Sequence, residues 1–191
     1  MKRFLTVLAV LPLLGGCVFT SPRAPKTWNI LWAKSGAERI ERDKLPAVKL
    51  MLVDVRAPFN GARLAVLRAD GSIAFDSYNS FAAQPAAILR GAAMDVMESS
   101  AAFEKVVSGN SSASAPLAAE ITLNRLALDC RTEGHRDASV SLSLVLVGNR
   151  TVLASSSAEA AEPVEGGDYS AAFSRAFSRA LSTAIGYIDL K

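Results

Sequence analysis

The sequence predicts a single α+β domain: a mostly antiparallel or mixed sheet with two amphipathic helices packed on it. Three observations predict it. Apolar runs of period two outnumber those of helical period, each of the two helical stripes follows a block of strands, and an Asp-Gly pair joins two of the runs. The chain has 191 residues, 50% hydrophobic and 20% charged, with 12 glycines and 8 prolines. That composition is globular and excludes a disordered or collagen-like chain, and the length suits one domain.

The first element is not part of the fold. Lys2 and Arg3 precede an apolar run, Phe4 to Leu14, which is shorter than the roughly 20 residues a membrane-spanning helix needs and has the length of a signal-peptide core. Leu14-Gly15-Gly16-Cys17 follows and resembles the lipobox of a bacterial lipoprotein. Small residues before the cut let an extended backbone enter a peptidase cleft, and Cys17 supplies the thiol that takes a diacylglyceryl group. Residues 1–16 are therefore read as a signal peptide and 17–27 as a lipidated tether. Val18 to Thr27, with Pro22 and Pro25, has a reach of ~30 Å when extended. By resemblance to lipoproteins of two-membrane bacteria, Val18 in place of an aspartate after the lipidated cysteine implies the outer membrane.

The folded domain is assigned to 28–191. It opens on the apolar segment Trp28 to Trp32, and Val48 to Val55 reads as a strand buried on both faces. The Phe59-Asn60-Gly61 turn ends it. Arg63 to Ala69 and Ser72 to Tyr78 flank Asp70-Gly71, which predicts a two-residue hairpin loop pairing Val66 with Phe75 and Leu67 with Ala74. Pro85 opens a helix whose Ile88, Leu89, Ala92, Val96 and Met97 share one face. Phe103, Val106 and Val107 suggest a short strand, and Ser108 to Pro116 a flexible loop open to proteolysis. In the next strand the apolar parity shifts from Ile121 and Leu123 to Leu126, Leu128 and Cys130. Either a bulge near Asn124-Arg125 or a sheet covered on both faces accounts for that shift. Val140, Leu142, Leu144 and Leu146 alternate with serines, giving a strand with one wet face. Asn149-Arg150 turns into a strand from Thr151 to Ala161. Asp168 caps a last helix with a stripe of Phe173, Phe177, Ala180, Leu181, Ala184 and Ile188, and with Ser174, Arg175, Ser178 and Arg179 toward solvent.

Charge and motifs exclude several functions. Removing residues 1–16 takes two of the 21 basic residues and none of the 18 acidic ones, leaving a net charge of +1 and no electrostatic case for nucleic acid. Cys17 and Cys130 are the two cysteines. With Cys17 acylated, Cys130 has no disulfide partner and reads as a small buried hydrophobe. The single histidine, His135, sits in a polar turn, and no second histidine or cysteine pair stands ready for a metal. No glycine-rich phosphate loop, Gly-X-Ser-X-Gly or Ser-X-X-Lys occurs, and Asp54, Asp76, Asp95 and Asp129 are scattered. The expectation is a protein without enzymatic activity, cofactor or metal. Phe81 and Tyr78 read either as a lipid- or partner-contacting patch or, for Phe81, as a staple that seats the first helix.

From about residue 28 to 188 the chain resembles the ABC-type transport auxiliary lipoproteins, the paraquat-inducible protein C type among them. The resemblance rests on the lipobox, the aromatic-led opening Trp28-Asn29-Ile30-Leu31, and Val53-Asp54-Val55-Arg56-Ala57-Pro58. It is strongest in Tyr78-Asn79-Ser80-Phe81-Ala82-Ala83-Gln84-Pro85, which leads into a helix and then Phe103-Glu104-Lys105-Val106-Val107. Phe81 stands where the family usually has tryptophan, and Phe59-Asn60 where a tyrosine-leucine pair is usual. The resemblance implies a periplasmic lipoprotein, held to the membrane by its lipid, that serves a mammalian-cell-entry type protein, a permease and an ATPase moving phospholipids or other hydrophobic molecules. A pilot-like assembly lipoprotein and a solitary lipid-binding module are the alternatives. Cargo, direction of transport and self-association into a homo-oligomer stay open. The edge strands and the loops around Asn60 and Ser80 are the expected contact surfaces.

Overall fold

A computed structural model of the protein describes residues 26–28 and 39–189. The signal peptide, Cys17 and most of the tether lie outside the described residues. The elements run β1 (Lys26–Trp28), β2 (Val48–Val55), β3 (Arg63–Arg68), β4 (Ile73–Phe81), α1 (Pro85–Ser99), β5 (Val106–Ser108), β6 (Leu117–Cys130), β7 (Asp137–Gly148), β8 (Thr151–Pro163) and α2 (Tyr169–Gly186). Strand pairing begins at Lys26, which aligns with Asn79 of β4, so the sheet takes in the last two residues assigned to the tether.

The eight strands form one mixed sheet that branches at β6. Along one edge of β6 lies the whole of β7, antiparallel, with β8 beyond it. Its other edge is shared. Leu117 to Leu123 pairs with β2 in parallel, and Ala127 to Cys130 pairs with β3 in parallel. One arm then continues through β5 and the other through β4 and β1. The β6–β7 register slips between Leu123 and Arg125, so the parity shift in the sequence marks a bulge. That bulge falls where β6 changes partner from β2 to β3.

Register explains the single core. Leu50, Ala119, Leu146 and Ala154 are aligned across four strands, and with them Ile121, Leu123, Leu142 and Leu144 point to one face and are fully buried. α2 packs on β7 and β8, α1 packs on β2 and β5, and the helices touch each other. Both helices thus lie on that face, and no described helix covers the opposite one. α2 is set by its sequence: Asp168 accepts a hydrogen bond from the Ala171 N–H at 3.0 Å, and the whole predicted stripe from Phe173 to Ile188 is buried. Pro85 stands in the first turn of α1, where its missing N–H leaves no intrahelical bond unmade.

Three expectations are corrected. β2 is buried on one face only: Val48, Leu50, Val53 and Val55 are inside, whereas Met51 and Leu52 are 49% and 43% exposed. A register slip between Leu50 and Leu52 makes room for Met51, and among the described residues no helix covers the far side. The β3–β4 hairpin pairs Ala65 with Phe75, Val66 with Ala74 and Leu67 with Ile73, one residue away from the expected register. Its loop holds three residues, because Gly71 takes φ +80° as the left-handed position after a turn closed by Gly71 N–H to Arg68 O. Ser174 and Ser178 are buried, not solvent-facing, while Arg175 and Arg179 do reach water. Residues 109–116 form an irregular, largely exposed loop, as expected, and the Ser111 and Ala113 carbonyls accept from Lys49 Nζ at 2.7 and 3.2 Å.

The Asn149-Arg150 turn behaves as expected. Both residues have positive φ, 52° and 63°, the geometry of a two-residue turn whose twist matches antiparallel strands.

Candidate docking surface

The open face of the sheet carries what the core face does not: apolar side chains without a cover. Leu52 aligns with Glu120, which aligns with Val145, and Val147 aligns with Val152. Leu52 and Val152, the latter 60% exposed, therefore belong to one end of the open face, with half-buried Val145 and Val147 between them. Met51 stands beside Leu52 at the bulge. On the other arm, Ile73 and Phe75 of β4 are exposed on the same face, and the Arg63 guanidinium lies 5.3 Å above the Phe75 ring.

A polar band separates the two apolar ends. Arg125 donates from Nε to Ser139 Oγ at 2.9 Å and pairs with Glu159 at 2.7 Å, and Asn124 donates to Ser143 Oγ at 2.9 Å. The serines that made β7 read as wet on one face are thus partners of these side chains, and Ser139 is buried beneath Arg125.

The block that carried the family resemblance is built around Asp76. Its carboxylate accepts from the N–H groups of Tyr78 and Asn79 at 2.7 and 2.9 Å and from Asn79 Nδ2 at 2.9 Å. Partial burial pushes this carboxyl up, but the three hydrogen bonds outweigh it and hold it below the usual carboxylate range. The kink turns Tyr78 outward and Phe81 inward. Phe81 is buried, and its ring meets Phe173 of α2 edge-on at 5.8 Å. Phe81 is a core residue, as the staple reading has it, but the ring contact it makes is with the second helix. Ser80 lies between β1 and β3, so its backbone is paired on both sides. Asn60 is exposed, while Phe59 beside it is tucked into the core.

The other singled-out residues do not converge. Asp54 lies on β2 and Asp95 on α1, Asp76 holds its own kink, and Asp129 is held below the usual range by its hydrogen bonds with Arg131. His135 lies in the exposed turn closed by its N–H to Thr132 O. No group of metal-ligating side chains is found among the described residues, and no described helix is long and apolar enough to cross a membrane. Cys130 is free, half-buried and packed against the core, and burial pushes its thiol up. A raised pKa leaves less thiolate at any given pH below it. Alkylation of Cys130 by iodoacetamide at pH 8, followed by peptide mass spectrometry, should therefore run slower than that of free cysteine, and unfolding in urea should remove the difference. A folded-state rate equal to that of free cysteine would contradict this.

Sequence reasoning found the strands that carry the open face but not the patch on it. The signal was there: Met51-Leu52 puts two apolar residues in succession inside a strand that otherwise alternates.

The fold has relatives among solved structures. A crystal structure of a Xanthomonas campestris protein of the DUF330 family superposes with a TM-score of 0.59 at 17% identity, over 84% of this chain and 91% of that one. A second, an uncharacterized protein, gives a TM-score of 0.64 at 11% identity over 86% and 97%. No curated protein matches the sequence. At such identities these likenesses concern the fold. The sequence itself is more specific, since residues 31–187 match a described family across both arms of the sheet and both helices. The chain belongs to the ABC-type transport auxiliary lipoprotein component family.

Proposed function

We propose that this protein is an outer-membrane lipoprotein that serves a mammalian-cell-entry type ABC transport system for phospholipids or other hydrophobic molecules. Cys17 carries the lipid. The chain acts as an accessory that binds, without catalysis or cofactor, and its partner is the periplasmic protein of that system. Family membership supports the association with an ABC transporter. The observation that supports docking is the uncovered apolar end of the open face, Met51, Leu52 and Val152 flanked by Val145 and Val147. Exposed apolar side chains grouped in this way, here around the exposed Glu120, are what protein partners cover. The chain enters the sheet through β1, beside β4, whereas this patch lies beyond the branch at β6, so an anchor on one arm leaves the other free.

Two measurements test the reading. Cells fed a radioactive fatty acid should label the wild-type protein and not Cys17→Ser, and equal label in both would remove the anchor. Crosslinking in intact membranes should recover a mammalian-cell-entry protein, and deleting the gene should make the envelope leakier to detergents. Failure of both arms of the second experiment would favour the assembly-lipoprotein alternative. Because the patch is apolar, recovery should depend only weakly on salt.

A further inference from the structure

A second feature lies on the helix side of the sheet. Arg175, Ser178, Arg179, Ser182, Thr183 and Gly186 fall at helical spacing on one stripe of α2 and line a cleft of about 540 Å³, closed by Arg39 and Ile40 opposite and by Glu162 of β8. The far wall is fixed: the Ile40 N–H donates to Ser100 O at 3.0 Å, and the Arg42 guanidinium donates to the Ile188 carbonyl just past α2.

The charges in this cleft do not balance. Among the described residues Glu162 is its one acidic lining residue, and Arg179 and Arg175 already hold it at 2.6 and 3.5 Å. Arg39 adds a third guanidinium, leaving two positive charges uncompensated by the described lining residues. The other end is neutral and carries the hydroxyls of Ser178, Thr183 and Tyr187.

We propose that this cleft binds a phosphate ester of a hydroxylated alcohol, specifically the phosphoglycerol headgroup of an anionic phospholipid. The arginine end takes the phosphate, whose oxygens match guanidinium donors, and the hydroxyl end takes the glycerol. The lipid as source rests on the transport role proposed above; a soluble phosphate ester offers the same chemistry.

The test uses the full-length lipoprotein in a non-ionic detergent and measures binding calorimetrically. The probes are a short-chain phosphatidylglycerol, glycerol 3-phosphate and inorganic phosphate. Phosphatidylglycerol is expected to bind most tightly, and Arg39→Gln with Arg179→Gln to weaken it by about tenfold or more, the loss of one charge-assisted hydrogen bond or more. Both guanidinium groups are largely in water, so the unfolding midpoint should hold. Gly186→Leu is an independent variant: Gly186 lines the cleft and a Cβ there meets nothing within 4 Å, so the longer side chain is accommodated and narrows the cleft without removing charge. It should also weaken binding. Glycerol 3-phosphate binding as tightly as the lipid would overturn the lipid source and assign a soluble ester. No binding, or binding untouched by these substitutions, would overturn the site. The arginine variants should still crosslink to the transport partner. Loss of that crosslink without any lipid binding would make the cleft a protein contact instead. Lipid binding retained in a protein that crosslinks to no transport partner would instead remove the transport role and keep the site.

Discussion

Replacing Phe173 with alanine is expected to destabilise the domain by about 3–5 kcal/mol, the range for truncating a fully buried phenylalanine. Phe173 has no exposed surface and lies in the first half of α2, edge-on to Phe81. One ring therefore joins the second helix to the end of β4, the strand that pairs with β1. Truncation removes the buried area and the aromatic pair together, and it leaves a cavity between a helix and a sheet whose positions other contacts fix. Against a usual total of about 5–15 kcal/mol, such a loss is a large fraction of the stability. Urea unfolding followed by tryptophan fluorescence and circular dichroism measures it. Phe173→Leu keeps most of the volume and should cost much less. A loss below about 1 kcal/mol in the alanine variant would mean that the Phe81–Phe173 contact does not organise the core.

The second large effect is on partner binding. Leu52→Lys, on the open face, should reduce recovery of the crosslinked transport partner by about tenfold or more, as a charge placed in the apolar centre of an interface does. The same substitution should leave the unfolding free energy within about 0.5 kcal/mol of wild type. Leu52 is already partly in water, and its cross-strand neighbour is Glu120, which a lysine pairs with favourably. Val152→Lys, at the far side of the same patch, should act in the same direction. Ile73→Lys on the other arm is the control and should have little effect. The reverse pattern, with Ile73 sensitive and Leu52 indifferent, would move the docking surface to the β3–β4 arm.

Local chemistry decided which parts of this protein were legible in its sequence. α2 could be read because its stripe, its Asp168 cap and its length all belong to one segment. The parity shift at Asn124-Arg125 could be read because a period-two pattern records each slip of one residue, while the choice between a bulge and a two-sided cover came from the register. Asn149 and Pro85 carry their backbone preferences with them. The two-halved edge of β6 was invisible, because β2 and β3 are each ordinary strands and nothing in either states that they lie end to end along a third. The side of β2 that faces water was misread for the same reason: Met51 and Leu52 are apolar, and only the placing of both helices on one face leaves them uncovered. Ser174 and Ser178 are small enough to be buried by neighbours distant in sequence, so polarity alone misassigned them. The Arg39, Glu162 and Arg179 constellation spans most of the chain. Sequence fixes the period, caps and turns of each element because those depend on residues a few positions apart. Which faces are covered, and which charges meet, depends on long-range packing, and there the tertiary structure alone decided.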